Sequence, residues 1–243
     1  MSSDPKGKDV DLTGKRQQAA VADDVSQFLQ AAANIPVREP GKRRGRLVFA
    51  MDATLSRAPT WDHAMAIQAD MFSETAAIGG LDVQLIYFRG QGECRSSKWV
   101  SEGSGLLKLM TSVQVRGGLT QIGRILSHAL AENARQKVDA LIYIGDAVEE
   151  NPDALCAKAG ELGLSGVKTF VFHEGGDPLA SQTLREIARL TGGAYMPFNL
   201  ASAGQLKRLL TAVAVYAAGG RKALADLGKT GPSDIKLLAS QVK

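Results

Sequence analysis

Four apolar runs separated by helical stretches constrain the fold of this chain more tightly than any other feature of its sequence. They are Leu47 to Met51, Leu81 to Phe88, Val138 to Gly145 and Val167 to Phe172. Each is too short for a helix of its own and largely apolar throughout, so each reads as a strand covered on both faces. Cys94 to Val100 fits a short edge strand. Gly193 to Phe198 fits a last one, near an edge because Pro197 has no N–H to give a central ladder.

The intervening segments carry helical spacing. Trp61, Met65, Gln68 and Phe72 form one stripe within Arg57 to Ile78, which Gly79-Gly80 ends. Ile122, Ile125, Leu126, Ala129 and Leu130 mark another helix, and shorter ones are expected over Ser104 to Val115, Pro152 to Leu162 and Leu179 to Leu190. Ser202 to Tyr216 closes the domain, with Leu206, Leu209, Leu210 and Val213 inward and Gly219-Gly220 as its stop. Strands alternating with helices predict an α/β fold. It is a doubly wound, mostly parallel six-stranded sheet with helices on both faces, Rossmann-like in layout, plus an N-terminal helix.

The ends are less determined. Met1 to about Gly14 is polar and expected to be disordered, and Val21, Val25, Phe28, Leu29 and Ala32 then line one face of a helix over Lys15 to Asn34. That face either packs back on the domain or holds a partner or a second copy of the chain. Pro36, Pro40 and the Gly41 to Arg46 run form a basic linker. The expected organisation is an extension over 1–45, the domain over 46–220 and a tail over 221–243. Ile235, Leu237, Leu238 and Val242 form either a short helix or no fixed structure.

Composition bounds the function. With 243 residues and 44% hydrophobic content the chain can bury one full-sized core. No run approaches the roughly 20 apolar residues of a membrane span, and the first residues lack a signal peptide's apolar centre, so a cytoplasmic protein without membrane contact is expected. Cys94 and Cys156 lack metal-ligand spacing and read as two reduced thiols. The net charge of +4 owes much to Lys42, Arg43, Arg44 and Arg46. Four charges in a Gly-rich linker read as solvated, so nucleic acid is not the expected partner.

In a doubly wound sheet the ligand sits beyond the C-terminal strand ends, where strand order reverses. Two carboxylates stand at such ends, Asp52 after the first run and Asp146 after the third. Thr54 and Ser56 alternate with Asp52, which brings together hard oxygen ligands and no soft ones, the chemistry of Mg²⁺ or Mn²⁺.

Asp52-x-Thr54-x-Ser56, Thr120 after a glycine pair at the head of a helix, and Asp146 after a strand resemble the metal-ion-dependent adhesion site of a von Willebrand factor A domain. The resemblance spans about Arg46 to Tyr216 and includes the order of strands and helices. It implies that Ser56 and Thr120 ligate the ion directly and that Thr54 stands where serine is usual. Asp52 and Asp146 would bind mainly through water. The chain departs from the pattern at Ile144-Gly145-Asp146-Ala147, where Thr-Asp-Gly is common. Thr120 also comes one residue later after its glycine pair than in the tightest form. The family's use of such a site is a metal-bridged dock completed by a partner's Asp or Glu, and its intracellular bacterial members often work beside AAA-type ATPases.

The expected function is therefore a cation-dependent, non-enzymatic adaptor. The alternative is a metal-assisted hydrolase or phosphatase using the same ion as a Lewis acid. Against it stands the lack of a placed nucleophile or base: of the histidines only His63 is near the ion loop, and His128 and His173 read as structural. Glu149 and Glu150 either add charge at the rim or form a solvated first helical turn. Trp61 and Trp99 read as packing residues or as part of a partner surface. No GxxxxGK[ST] or GxGxxG follows a strand, so nucleotide binding lacks its main motif.

Overall fold

In a computed structural model, the described residues are 25–32, 44–60, 81–101, 103–198 and 203–243. They form α1 (residues 25–32), β1 (Gly45–Asp52), a 3-10 turn (Leu55–Thr60), β2 (Leu81–Arg89), β3 (Glu93–Ser96), α2 (Gly103–Thr111) and α3 (Ile122–Arg135). There follow β4 (Ala140–Gly145), α4 (Pro152–Leu164), β5 (Lys168–Glu174), α5 (Pro178–Thr191), β6 (Ala194–Phe198), α6 (Ala203–Thr230) and α7 (Ser233–Gln241). The helix expected over Arg57 to Ile78, with Trp61 and His63, falls mostly on 61–80, outside the described residues.

The sheet has six strands in the order β3-β2-β1-β4-β5-β6, all parallel except the β2–β3 pair. The expected edge strand over Cys94 to Val100 is shorter, and Val100 makes only an isolated bridge to Val83. Because every β1 residue is buried, its side chains feed both layers. Leu47, Phe49 and Met51 enter one core with α1, α2, α6 and α7, while Val48 and Ala50 enter the other with α3, α4 and α5. That is the period-two alternation of a strand sandwiched between helices.

The apolar face of α1 packs within the chain. Phe28 and Ala32 lie in the same buried cluster as Leu47 and Met51, and Leu29 packs against it. Over residues 25–32 the helix therefore docks on its own domain, while the rest of the helix expected over Lys15 to Asn34, with Val21, and the segment before it fall outside the described residues.

At the other end, α6 breaks at Gly220, whose φ of 78° and ψ of −171° only glycine adopts readily. The stop expected there is real, but the chain continues as helix. Ala223, Leu224, Leu227, Ile235, Leu238 and Val242 are buried in the first core, so residues 221–243 are a structural layer rather than a loose tail. An ion pair between Arg208 and Asp234 at 2.8 Å, both largely buried, ties α7 to α6. Gln241 accepts a hydrogen bond from the Tyr195 amide at 2.9 Å, and Pro197, two residues along β6, has no amide hydrogen to offer. The β6 edge of the sheet is thereby closed to further strands.

The basic linker is not simply solvated where it is described. Arg44 pairs with Asp82 at 2.6 Å. Arg46 is buried, lies 3.7 Å over the Trp99 ring and pairs with Glu132. The Trp99 indole donates to Glu132 at 2.8 Å, which makes this tryptophan a packing residue.

Candidate functional site

β1 and β4 are central neighbours, and chain order reverses between them, so the crevice sits at their C-terminal ends. Asp52 ends β1 and is fully buried; Asp146 follows the last residue of β4 and is half-buried. The Thr54 amide donates to Asp52 Oδ1 at 2.8 Å, folding the loop back over its own carboxylate. The Thr54 and Ser56 hydroxyls lie 3.0 Å apart. Asp52 Oδ2 and Asp146 Oδ1 are buried and have no hydrogen-bond partner among the described residues.

Electrostatics mark the same place. Burial pushes the Asp52 carboxyl up to about 6, the Thr54 bonds oppose this, and the nearby Asp146 adds to the rise while Arg57 offsets part of it. The Tyr143 phenol on β4 is driven well above its usual value by burial and then by Asp52 and Asp146. Arg57, itself buried, pairs with Glu174 at 3.1 Å and so fastens the ion loop to the end of β5. Nothing in the sequence singles it out.

Thr120 reaches the site on a loop held very close to its neighbour. A methyl group on Gly118 would sit 2.0 Å from the Gly90 carbonyl oxygen, so only glycine lets this loop pass the β2–β3 turn. The Thr120 amide donates to Glu149 Oε2 at 2.6 Å, and the Glu149 amide donates to the Thr120 hydroxyl at 3.0 Å. Glu150 accepts from the amides of Ile122 and Gly123, the latter at 2.9 Å. Burial leaves the Glu150 carboxyl raised, with these amide bonds offsetting only part of the rise.

Glu149 and Glu150 are therefore neither a free rim nor a first helical turn. α4 starts later, at Pro152, with Asn151 as its cap, and the two glutamates satisfy the head of α3 from across the crevice. The local signal is that Gln121, the residue at the head of α3, makes no side-chain cap bond. The unfilled amides needed an acceptor from elsewhere.

The structure thus joins Asp52, Thr54 and Ser56 in one loop, sets Asp146 beside Asp52, and fixes Thr120 to the loop that carries Asp146. Ser56 is exposed at the rim. His173 is fully buried: Nδ1 lies 2.8 Å from the Tyr195 hydroxyl and Nε2 donates to the Asp146 carbonyl at 3.3 Å. It is structural, and what it supports is the Asp146 loop. His128, half-buried with its ring nitrogen 2.9 Å from Gln84 Oε1, is structural too. Cys94 and Cys156 are free thiols. Among the described residues no three His, Cys, Asp or Glu side chains form a metal-binding group, and no helix is long and apolar enough to cross a membrane. Any ion here would rest on two carboxylates and several hydroxyls.

No protein-family model matches the sequence, and no curated protein matches it. Solved structures do match in shape. A von Willebrand factor type A protein from Catenulispora acidiphila superposes with a TM-score of 0.57 at 18% identity, covering 71% of this chain and 43% of that one. The chain thus spans under half of that structure. The vWF domain of the type V pili tip protein Mfa5 from Porphyromonas gingivalis gives a TM-score of 0.58 at 10% identity, covering 73% and 97%. The SpRpn10 VWA domain gives 0.53 at 12% identity, covering 67% and 95%. The chain has the von Willebrand factor A fold.

Proposed function

We propose that this chain is a divalent-cation-dependent protein-interaction module, in which a bound Mg²⁺ or Mn²⁺ bridges the domain to a partner's acidic side chain. The observation that carries the reading is the pair of buried carboxylate oxygens, Asp52 Oδ2 and Asp146 Oδ1, left without partners beside the Thr54 and Ser56 hydroxyls. Leaving buried carboxylate oxygens unpaired is costly, and a hard cation is the group that would satisfy both.

Asp52, Thr54, Ser56, Thr120 and Asp146 are the residues that would hold it. A bound ion would supply an electrophilic centre able to take up a partner's carboxylate. The chain's own work is to hold the donors still: Thr54 folds the loop over Asp52, Glu149 fixes Thr120, and His173 steadies the Asp146 loop. A binder needs no general base, and the described histidines are committed to Gln84, Tyr195 and the Asp146 carbonyl. An adaptor role in a cytoplasmic assembly beside an AAA-type ATPase is supported by the family resemblance.

The test is thermal unfolding of wild type and Asp52→Ala in EDTA and in millimolar Mg²⁺ or Mn²⁺. Metal at about a hundred times its dissociation constant should stabilise the wild type by roughly 2.7 kcal/mol. A wild type indifferent to both metals would sink the proposal.

A further inference from the structure

A second hollow lies away from the ion crevice. One wall is α5, the other is the end of α7 with the residues after it, and the groove between them holds about 570 Å³, the size of a small-molecule site. The buried Tyr195 lines it, and Ala188, Gly192 and Gly193 keep it hollow by having little or no side chain. Gly192 and Gly193 lead into β6, so the groove lies toward the N-terminal ends of the strands.

Its charges are unevenly committed. Glu186, the acid among the lining residues, is gripped on both oxygens by Arg189, at 2.7 and 2.5 Å. Lys168 Nζ would lie 2.8 Å from a methyl group on Gly192, so that lysine already serves the negative C-terminal end of α5. Arg185 has no carboxylate partner among the described residues. Its guanidinium instead sits 4.2 Å over the Tyr195 ring, which holds the planar fork in place. The side chains of Lys243 and Gln182 make no hydrogen bond or ion pair among the described residues.

We propose that this groove binds a small organic phosphomonoester. The ester's dianion matches the two uncommitted charges: Arg185 offers a fork shaped for phosphate oxygens, Lys243 a point charge and Gln182 a neutral donor. A monocarboxylate would leave one cation unanswered. A bare phosphate ion would fill only a fraction of the groove, so the organic part of the ester occupies the rest. The site stands apart from the cation-bridged reading, because none of its charged residues belongs to the ion crevice.

The test is isothermal titration of the full chain in EDTA, which keeps metal-held phosphate out of the Asp52 crevice. Ribose 5-phosphate and AMP are the probes, with ribose, adenosine and inorganic phosphate beside them. At least one ester should bind, about tenfold or more tighter than its phosphate-free counterpart and than inorganic phosphate. Arg185→Gln and Lys243→Gln should each weaken that ester about tenfold, the loss of one charge-assisted contact. Lys243→Gln should leave the unfolding temperature of the ligand-free chain unchanged, because the Lys243 contact used by the fold is its main-chain amide to Gly192. No binding of either ester up to about 10 mM, an ester bound no better than ribose or adenosine, or an ester bound undiminished by both variants would overturn the proposal. Inorganic phosphate bound as tightly as the esters would overturn the organic ligand and leave a cradle for the free ion.

Discussion

Thr120 and Glu149 are bonded in both directions: the Thr120 amide donates to the Glu149 carboxylate at 2.6 Å, and the Glu149 amide donates to the Thr120 hydroxyl at 3.0 Å. One residue lies in the loop just before α3 and the other lies 29 positions on, in the loop after β4. The reciprocal pair locks together two of the three loops that form the crevice.

Replacing Glu149 therefore separates a positioning role from a charge role. Glu149→Ala leaves the Thr120 amide unfilled and should lower stability by about 1 to 2 kcal/mol in urea unfolding. Glu149→Gln keeps an acceptor at the same reach and should recover most of the loss. Mn²⁺ affinity should fall for Ala and hold for Gln; equal behaviour of the two variants would deny the lock.

Asp52 makes an unusual prediction about pH. Its folded value of about 6 lies above the usual 3.8, so the metal-free folded state binds this proton more readily than the unfolded chain. The contribution of this group to stability therefore rises as pH falls from 7 through 6 and is complete below about 4. The gain is at most about 3 kcal/mol, because each tenfold difference in proton affinity between the folded and unfolded chain is worth about 1.4 kcal/mol. Without metal, Asp52→Asn should be more stable than wild type at pH 7, with the difference shrinking toward pH 4. With millimolar Mg²⁺ the order should reverse.

His173 holds a buried network that includes the Tyr195 hydroxyl, the Ser181 hydroxyl at 3.2 Å and the Asp146 carbonyl. His173→Phe fills the space but forms none of these bonds. A loss of about 2 to 3 kcal/mol is expected by calorimetry, together with weaker Mn²⁺ binding because the Asp146 loop loses its support. Unchanged metal affinity would confine His173 to the core.

The Arg46, Trp99 and Glu132 cluster lies at the opposite end of β1 from the site. Glu132→Ala removes the carboxylate facing Arg46 and the acceptor of the Trp99 indole, while Arg46 keeps the Gln136 carbonyl, so the cost should be about 1 to 3 kcal/mol in urea unfolding. Metal binding by the folded fraction should not change. A cost near zero would show that Arg46 finds other acceptors.

Much of the fold was legible because strand and helix periods differ. Leu47 to Met51 could only be a doubly buried strand, and Leu206, Leu209, Leu210 and Val213 only an inward helical face; all are buried. Asp52 and Asp146 were legible as strand-end carboxylates, because the topology of such sheets fixes where those ends meet. The carboxylate caps Glu149 and Glu150 were not, since their bonds run 27 to 29 residues back along the chain. Arg57 and Glu174 meet only through the tertiary fold. The helices after Gly220 were obscured for a simpler reason: a glycine stop, a second glycine and a proline look like the end of a domain, whereas here they turn the chain back onto its own sheet.

The seal on β6 carries a consequence for how this protein fares in concentrated solution. That edge strand is denied to neighbours by one glutamine side chain from α7 and by a proline. Cleavage near Thr230 would release that helix, bare the Tyr195 amide and take Gln241 from Met196, leaving an adhesive ribbon able to recruit other chains. The last dozen residues thus serve as a built-in guard against aggregation.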